Sequence, residues 1–155
     1  MEVILCGIIL PLADREPAMN EYWTSAIDHL NIAVSDIDRA RTFYTAAFAA
    51  IGVEELLNVG PEHGTESGGR MVGYGKGEKP FFWILDNRQV GGGTHIAFSV
   101  PSRELVDAFY AAALTAGGTD NGAPGLRTRY HPNYYGAFVL DPDGHNIEAV
   151  CHDAP

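Results

Sequence analysis

The sequence predicts an α+β fold built from two tandem βαβββ modules, each with its helix on the apolar face of a sheet. Three observations predict it. Residues 29–52 match residues 95–118 at a constant offset of 66, with eight identities in 24 positions: His29/His95, Val34/Val100, Phe43/Phe109, Tyr44/Tyr110, Ala46/Ala112, Ala47/Ala113, Ala50/Ala116 and Gly52/Gly118. Such a repeat means that one supersecondary unit was used twice. Each copy changes from a two-residue to a helical hydrophobic period, and each is followed by short apolar runs between turn signals.

The elements follow in order. In residues 27–34, Leu30, Ile32 and Val34 share one face of a strand and His29, Asn31 and Ala33 the other. In residues 94–100, Ile96, Phe98 and Val100 stand against His95, Ala97 and Ser99. Ser35 with Asp38 reads as a capping box for the first helix, whose stripe is Ile37, Ala40, Phe43, Ala47, Phe48 and Ile51, with Gly52 as its stop. Ser102 opens the second helix, with Leu105, Ala108, Phe109, Ala112 and Ala116 as the stripe and Gly117-Gly118 at its end. Strands are expected at 54–59, 70–75 and 81–85, and again at 128–130, 137–140 and 146–150. Asp141-Pro142-Asp143-Gly144 marks a tight turn. Gly91-Gly92-Gly93 joins the modules, and residues 60–69 and 117–125 read as flap-like loops.

A chain of 155 residues has room for one domain, burying roughly 70% of its unfolded surface. We expect residues 25–152 to form it, module one spanning 25–90 and module two 91–152, behind an extension at 1–24. The apolar run at 3–12 lacks the length of a membrane span and the basic flank of a signal peptide. An added strand or helix, a dimer contact and a dispensable leader all remain open for it. Twenty acidic residues against ten basic ones repel nucleic acid and anionic lipid. Two cysteines far apart in the chain suit reduced thiols in the cytoplasm.

Chemistry is expected on the polar faces. Alternation in 146–150 points Glu148 away from Ile147 and Ala149, toward the side where His29 and His95 point. Two imidazoles and a carboxylate on strands make a first shell for a divalent transition metal, whereas a lone strand histidine is commonly just a hydrogen-bonded structural residue. Around residues 127–135, Arg127, Arg129, Tyr130, His131, Tyr134 and Tyr135 are dense in proton donors. His131 is the candidate general acid/base, Tyr134 or Tyr135 would orient a substrate oxygen, and Arg127 or Arg129 would pair with an anionic group. The bland alternative is a surface turn with aromatic packing. His63 reads as a solvated loop residue, His145 as pointing away from Glu148, and His152 as uninformative.

With Ile27-Asp28-His29, Gly93-Thr94-His95-Ile96-Ala97-Phe98 and the run from Phe138 to Glu148 through Asp141-Pro142-Asp143-Gly144-His145, the chain resembles the vicinal oxygen chelate superfamily. That group holds glyoxalase I, fosfomycin-resistance enzymes, extradiol dioxygenases and bleomycin-binding proteins. The resemblance implies sheets curved into a cup around a metal, with His29, His95 and Glu148 as ligands, and a homodimer. The chain departs from glyoxalase I at the last strand of module one. Phe82, or with a small gap Trp83 or Ile84, stands where a carboxylate or amide is expected, and both aromatics become candidates for the pocket wall.

Three functions fit. One is a metal-dependent lyase, isomerase or ring-cleaving dioxygenase that chelates a small oxygenated substrate on Fe(II), Mn(II), Ni(II), Co(II) or Zn(II). Another is a metal-free binder that sequesters a small aromatic or cationic molecule, as in bleomycin resistance. The third is a thiol transferase of the fosfomycin-resistance kind, for which only Arg127 and Arg129 offer basic groups.

Overall fold

A computed structural model describes residues 4–5, 8–9, 27–63 and 68–154. The chain divides into two compact units, residues 1–30 and 31–155. In the smaller unit, β1 (Ile4–Leu5) pairs antiparallel with β2 (Ile8–Ile9). These strands are the described part of the apolar run; Cys6, the rest of that run and residues 64–67 lie outside the described residues.

The larger unit contains both modules. The first runs β3 (Leu30–Ala33), which starts on the last residue of the smaller unit, then α1 (Ile37–Ala49), β4 (Glu54–Val59), a single 3-10 turn at Pro61–His63, β5 (Met71–Lys76) and β6 (Lys79–Leu85). The second runs β7 (His95–Ser99), α2 (Arg103–Thr115), β8 (Thr119–Leu126), β9 (Tyr135–Leu140) and β10 (Asn146–Cys151). Their sheets have the same order, β3-β6-β5-β4 and β7-β10-β9-β8, with the first strand of each module beside its last. The α+β fold and the tandem βαβββ repeat are thus present.

Three local expectations fail, the first being the stripe of α2, which buries Val106, Phe109 and Ala113, so that of Leu105, Ala108, Phe109, Ala112 and Ala116 only Phe109 is core. The cap of α1 is Asp36, whose Oδ1 accepts from the amides of Asp38 and Arg39, while Ser35 is turned to Asp143 of the other module. The second strand of module two, the one after its helix, is not at 128–130, which is a turn, but at 119–126, in the region read as a loop. Its Gly and Pro residues obscure a strand whose register slips twice against β9, between Asp120 and Gly122 and again before Gly125. Bulges on an edge strand tolerate such residues.

Both helices cover the apolar sheet faces. Tyr44 and Phe48 of α1 pack on Tyr74 and Phe82, and Phe98 of β7 joins this cluster at ring distances of 4.9 Å from Phe48 and 5.6 Å from Phe82. Full burial of each such side chain contributes about 1.5–3 kcal/mol. The modules are also tied by polar groups. Tyr44 donates to Asp141 Oδ2 at 2.7 Å, and His145 Nδ1 lies 2.8 Å from the same oxygen. The other oxygen, Oδ1, accepts the amides of Asp143 and His145, so this buried carboxylate is fully partnered. His145 is therefore a buried structural residue of the turn. Nearby, Arg39 donates to Asp143 at 3.1 Å, which fastens α1 to the same turn.

Candidate functional site

Strand register builds one open face on the second sheet. Parallel pairing sets His95 beside Asn146 and Ala97 beside Glu148, antiparallel pairing sets Glu148 beside Phe138, and β8 adds Gly122 beside Phe138. Ala97, Glu148, Phe138 and Gly122 thus form a row on one face, with His95 one step along β7. Alternation sends Ile147, Ala149, Val139 and Ala137 to the opposite face, where all four are buried and where α2 contacts β9 and β10.

On this face His95 Nε2 and Glu148 Oε2 lie 2.9 Å apart. Glu148 is 1% exposed and the His95 side chain 49% exposed, so a buried acid meets an imidazole that still reaches solvent. A buried carboxylate is costly unless its oxygens are bonded, and the second one is: Tyr134 donates its hydroxyl to Glu148 Oε1 at 2.6 Å. Burial, with Glu148 alongside, pushes the Tyr134 phenol well above its ordinary value, so it remains a donor at neutral pH. Gly136 makes room for this contact. A Cβ there would lie 2.8 Å from Glu148 Oε1 and 3.1 Å from the Tyr134 ring. Phe138 flanks the pair, its ring 6.0 Å from that of His95, and the Arg127 guanidinium lies over the other side of the row, 5.6 Å from the Phe138 centroid.

The remaining candidates disperse. Phe82 is fully buried under α1 and offers no surface to a ligand, so it is core and not pocket wall. Trp83 points the other way, across Gly73 on the open face of the first sheet, where a Cβ on Gly73 would meet its ring at 2.8 Å. Tyr135 turns to the helix side and donates to Asp107 at 2.9 Å, which removes it from Glu148. Arg129 is exposed, bonded to the Tyr130 hydroxyl and stacked on that ring. His131 accepts from the amide of Asn133 in an exposed turn, and its carbonyl accepts from the amide of Tyr134 at 3.0 Å; its ring lies 5.8 Å from His152, which lies 5.0 Å from Tyr134. In the smaller unit, His29 Nδ1 lies 2.8 Å from Asp28 Oδ1. His63 ends the 3-10 turn.

Three residues of the site escaped the sequence reading: Phe138, Gly136 and His152. Alternation from Glu148 through Val150 carries a side chain at His152 to the Glu148 face, and counting back through the tight turn pairs Phe138 with Glu148; both signals were available.

The chain matches the Glyoxalase/Bleomycin resistance protein/Dioxygenase superfamily over residues 26–149. It belongs to that superfamily. Among its relatives, a Metallothiol transferase FosB from Shouchella clausii is 29% identical over 139 residues, covering 80% of this chain and 78% of that one. A glyoxalase/bleomycin resistance protein from Albidiferax ferrireducens superimposes with a TM-score of 0.66 at 26% identity, covering 83% of this chain and all of the other. Glyoxalase I from Zea mays, at 23% identity and a TM-score of 0.60, covers 83% of this chain and 45% of that chain, and shows the fold alone.

Superfamily members include metal-dependent enzymes, and the donor chemistry here suits a divalent cation in part. A half-exposed imidazole nitrogen faces a carboxylate oxygen whose partner oxygen is already held by a phenol, the outer-shell arrangement that orients metal-binding carboxylates. Among the described residues no group of three or more His, Cys, Asp or Glu side chains is set to hold a metal. His95 and Glu148 are two side chains here that could serve as donors. No helix among the described residues is long and apolar enough to cross a membrane.

Proposed function

We propose that this chain is a metal-dependent enzyme that acts on a small oxygenated molecule by bidentate chelation, with His95 and Glu148 as ligands. The observation that carries the proposal is the 2.9 Å approach of His95 Nε2 to a carboxylate that is itself buried and braced by Tyr134. The repeat nominates His29 as a third ligand, an assignment resting on the sequence alone. A bound Fe(II), Mn(II), Ni(II), Co(II) or Zn(II) would supply Lewis acidity toward a developing enolate or oxyanion.

The chain's own residues have distinct parts in this reading. Tyr134 fixes Glu148 Oε1, so that Oε2, which faces His95 Nε2, would be the oxygen offered to a bound cation. Phe138 keeps water from one flank of His95. His131, whose ring meets His152 edge-on beyond Tyr134, would be the general acid/base at the rim. Trp83, aligned with Glu148 in its own module, shapes a wall and withholds a further carboxylate, which disfavours glyoxalase I chemistry and leaves a lyase, isomerase or extradiol-type dioxygenase. A second reading, transfer of a thiol to an electrophile, is supported by the 29% identity to a metallothiol transferase. We place the protein in the cytoplasm on its acidic, cysteine-poor composition, and as a homodimer by resemblance.

Chelation is testable without knowing the substrate. Acetohydroxamate, a bidentate oxygen ligand, should change the visible spectrum of the Co(II)-loaded protein and leave that of Co(II)-treated Glu148→Ala unchanged. Identical spectra for wild type with and without hydroxamate would remove bidentate chelation from the account.

A further inference from the structure

Strand β8 carries an extra residue where its register slips. Asp120 pairs with Val139 and Gly122 with Phe138, so Asn121 between them has no partner across the ladder. The amide of Gly122 donates to Asp120 Oδ1 at 2.8 Å and closes a tight turn around that extra residue. Asn121 is exposed there, and its Nδ2 donates to Asn146 Oδ1 at 3.1 Å. Strands β8 and β10 are not neighbours, because β9 lies between them. The bond therefore crosses β9 on the open face, past the half-buried Leu140 that pairs with Asn146.

Asn146 stands next to the site. It lies directly beside His95 in the parallel register, its backbone amide donates to Thr94 O at 3.0 Å, and alternation gives it the face of Glu148. With Oδ1 taken by Asn121, the planar carboxamide carries Nδ2 on the side away from that residue. Among the described residues nothing accepts from Asn146 Nδ2 and nothing donates to Asn121 Oδ1. A hydrogen bond between two neutral side chains contributes only about 0.5–1.5 kcal/mol, which the rotamer freedom its partners give up largely offsets. Stability alone gives little reason to span a strand in this way. What the bond does is fix which edge of each amide faces outward.

We propose that Asn121 and Asn146 are the specificity pair of the His95–Glu148 site and read a neutral group on the substrate that donates and accepts through adjacent atoms, as a carboxamide does. Its use on a substrate rests on the function proposed above. One amide leaves N–H donors and the other a carbonyl oxygen, the complement of such a group. A carboxylate lacks the donor and meets the negative field of a chain with a net charge of −10; an ammonium lacks the acceptor. Because Asn146 flanks His95, the recognised group lies within about one strand spacing, ~4.8 Å, of the imidazole's strand.

Benzamide, N,N-dimethylbenzamide and benzoate would be titrated into the full chain without added metal and followed by the side-chain NH2 NMR signals of Asn121 and Asn146. Benzamide should shift both signals. Its dimethyl form keeps the carbonyl but has no N–H, and it should bind about fivefold more weakly, as should benzoate. Asn146→Leu should erase the preference for benzamide over the dimethyl form. So should Asn121→Ala, which lies in the exposed bulge and leaves the ladder intact. Silent side-chain signals, equal affinity for the two amides in the wild type, or an unchanged preference in either variant would overturn the pair. Metal content, measured on the same samples, separates the two claims. An amide preference in a protein that takes up no metal would defeat the metal reading alone, whereas metal uptake without that preference would defeat the specificity pair alone.

Discussion

The two modules share a fold and differ in what their open faces carry. Val34 N donates to Leu85 O at 2.8 Å, and its repeat partner Val100 N donates to Val150 O at 2.9 Å, which aligns the last strands and sets Trp83 in the place of Glu148. One module therefore has an indole lying on Gly73 where the other has a buried carboxylate beside Gly136. Around Trp83 the first sheet shows half-buried Met71 and exposed Leu57; around Glu148 the second shows His95, Tyr134, Phe138 and Arg127. The same backbone plan supplies an apolar wall once and a polar centre once. Duplication alone does not give two like faces; the exchange of Trp83 for Glu148 makes one apolar and the other polar.

Breaking the shared core should hurt both modules at once. Phe48 is fully buried and touches Tyr44, Tyr74, Phe82 and Phe98, so Phe48→Ala should cost about 3–5 kcal/mol in denaturant unfolding. A loss below 1 kcal/mol would mean that the aromatic cluster is not what joins the modules.

The polar tie between modules should show a smaller effect with a pH signature. Burial, followed by the neighbouring Asp141, holds the Tyr44 phenol well above its ordinary value of 10.0. A raised folded-state value means that this stabilisation is complete below pH 10 and is lost as pH climbs toward the folded value. Tyr44→Phe should cost about 1.5–3 kcal/mol at pH 7 and remove that alkaline loss. An unchanged slope of stability above pH 10 in the variant would contradict the linkage.

Tyr134 sharpens the contrast at the site itself. Tyr134→Phe frees Glu148 Oε1 while keeping the ring, so metal affinity should fall about 10–100-fold with little change in unfolding midpoint. Equal metal affinity would reduce the 2.6 Å contact to packing. Weakest of all should be Asp36→Ala, which removes the only side-chain cap of α1 among its described hydrogen bonds and should cost about 1 kcal/mol.

Much of this architecture was legible because the repeat and the stripe of the first helix are strong periodic signals, whereas of the five-residue stripe expected on the second helix only Phe109 is buried, beside Val106 and Ala113. The segment 119–126 was not, because its glycines and proline serve bulges and a close guanidinium, functions that composition cannot separate from a loop. Phe82 and Trp83 show how little register is needed to mislead: an offset of 66 holds through the helix, the last strand runs at 65, and that single residue exchanges core for open face. Ser35 and Asp36 both have capping chemistry, and only the contact with Asp143, far along the chain, selects between them. His95 and Glu148 were readable from alternation; that Tyr134 completes their environment, and Tyr135 does not, depends on which side of β9 each side chain leaves.

The most direct test is the metal content of the purified chain beside His95→Ala and Glu148→Ala, each measured as isolated and after anaerobic loading with Fe(II), Mn(II), Ni(II) or Zn(II). The account predicts close to one metal per chain in the wild type and loss from both variants, with all three equally folded. Metal retained by both variants, or no metal in the wild type under any loading, would contradict it.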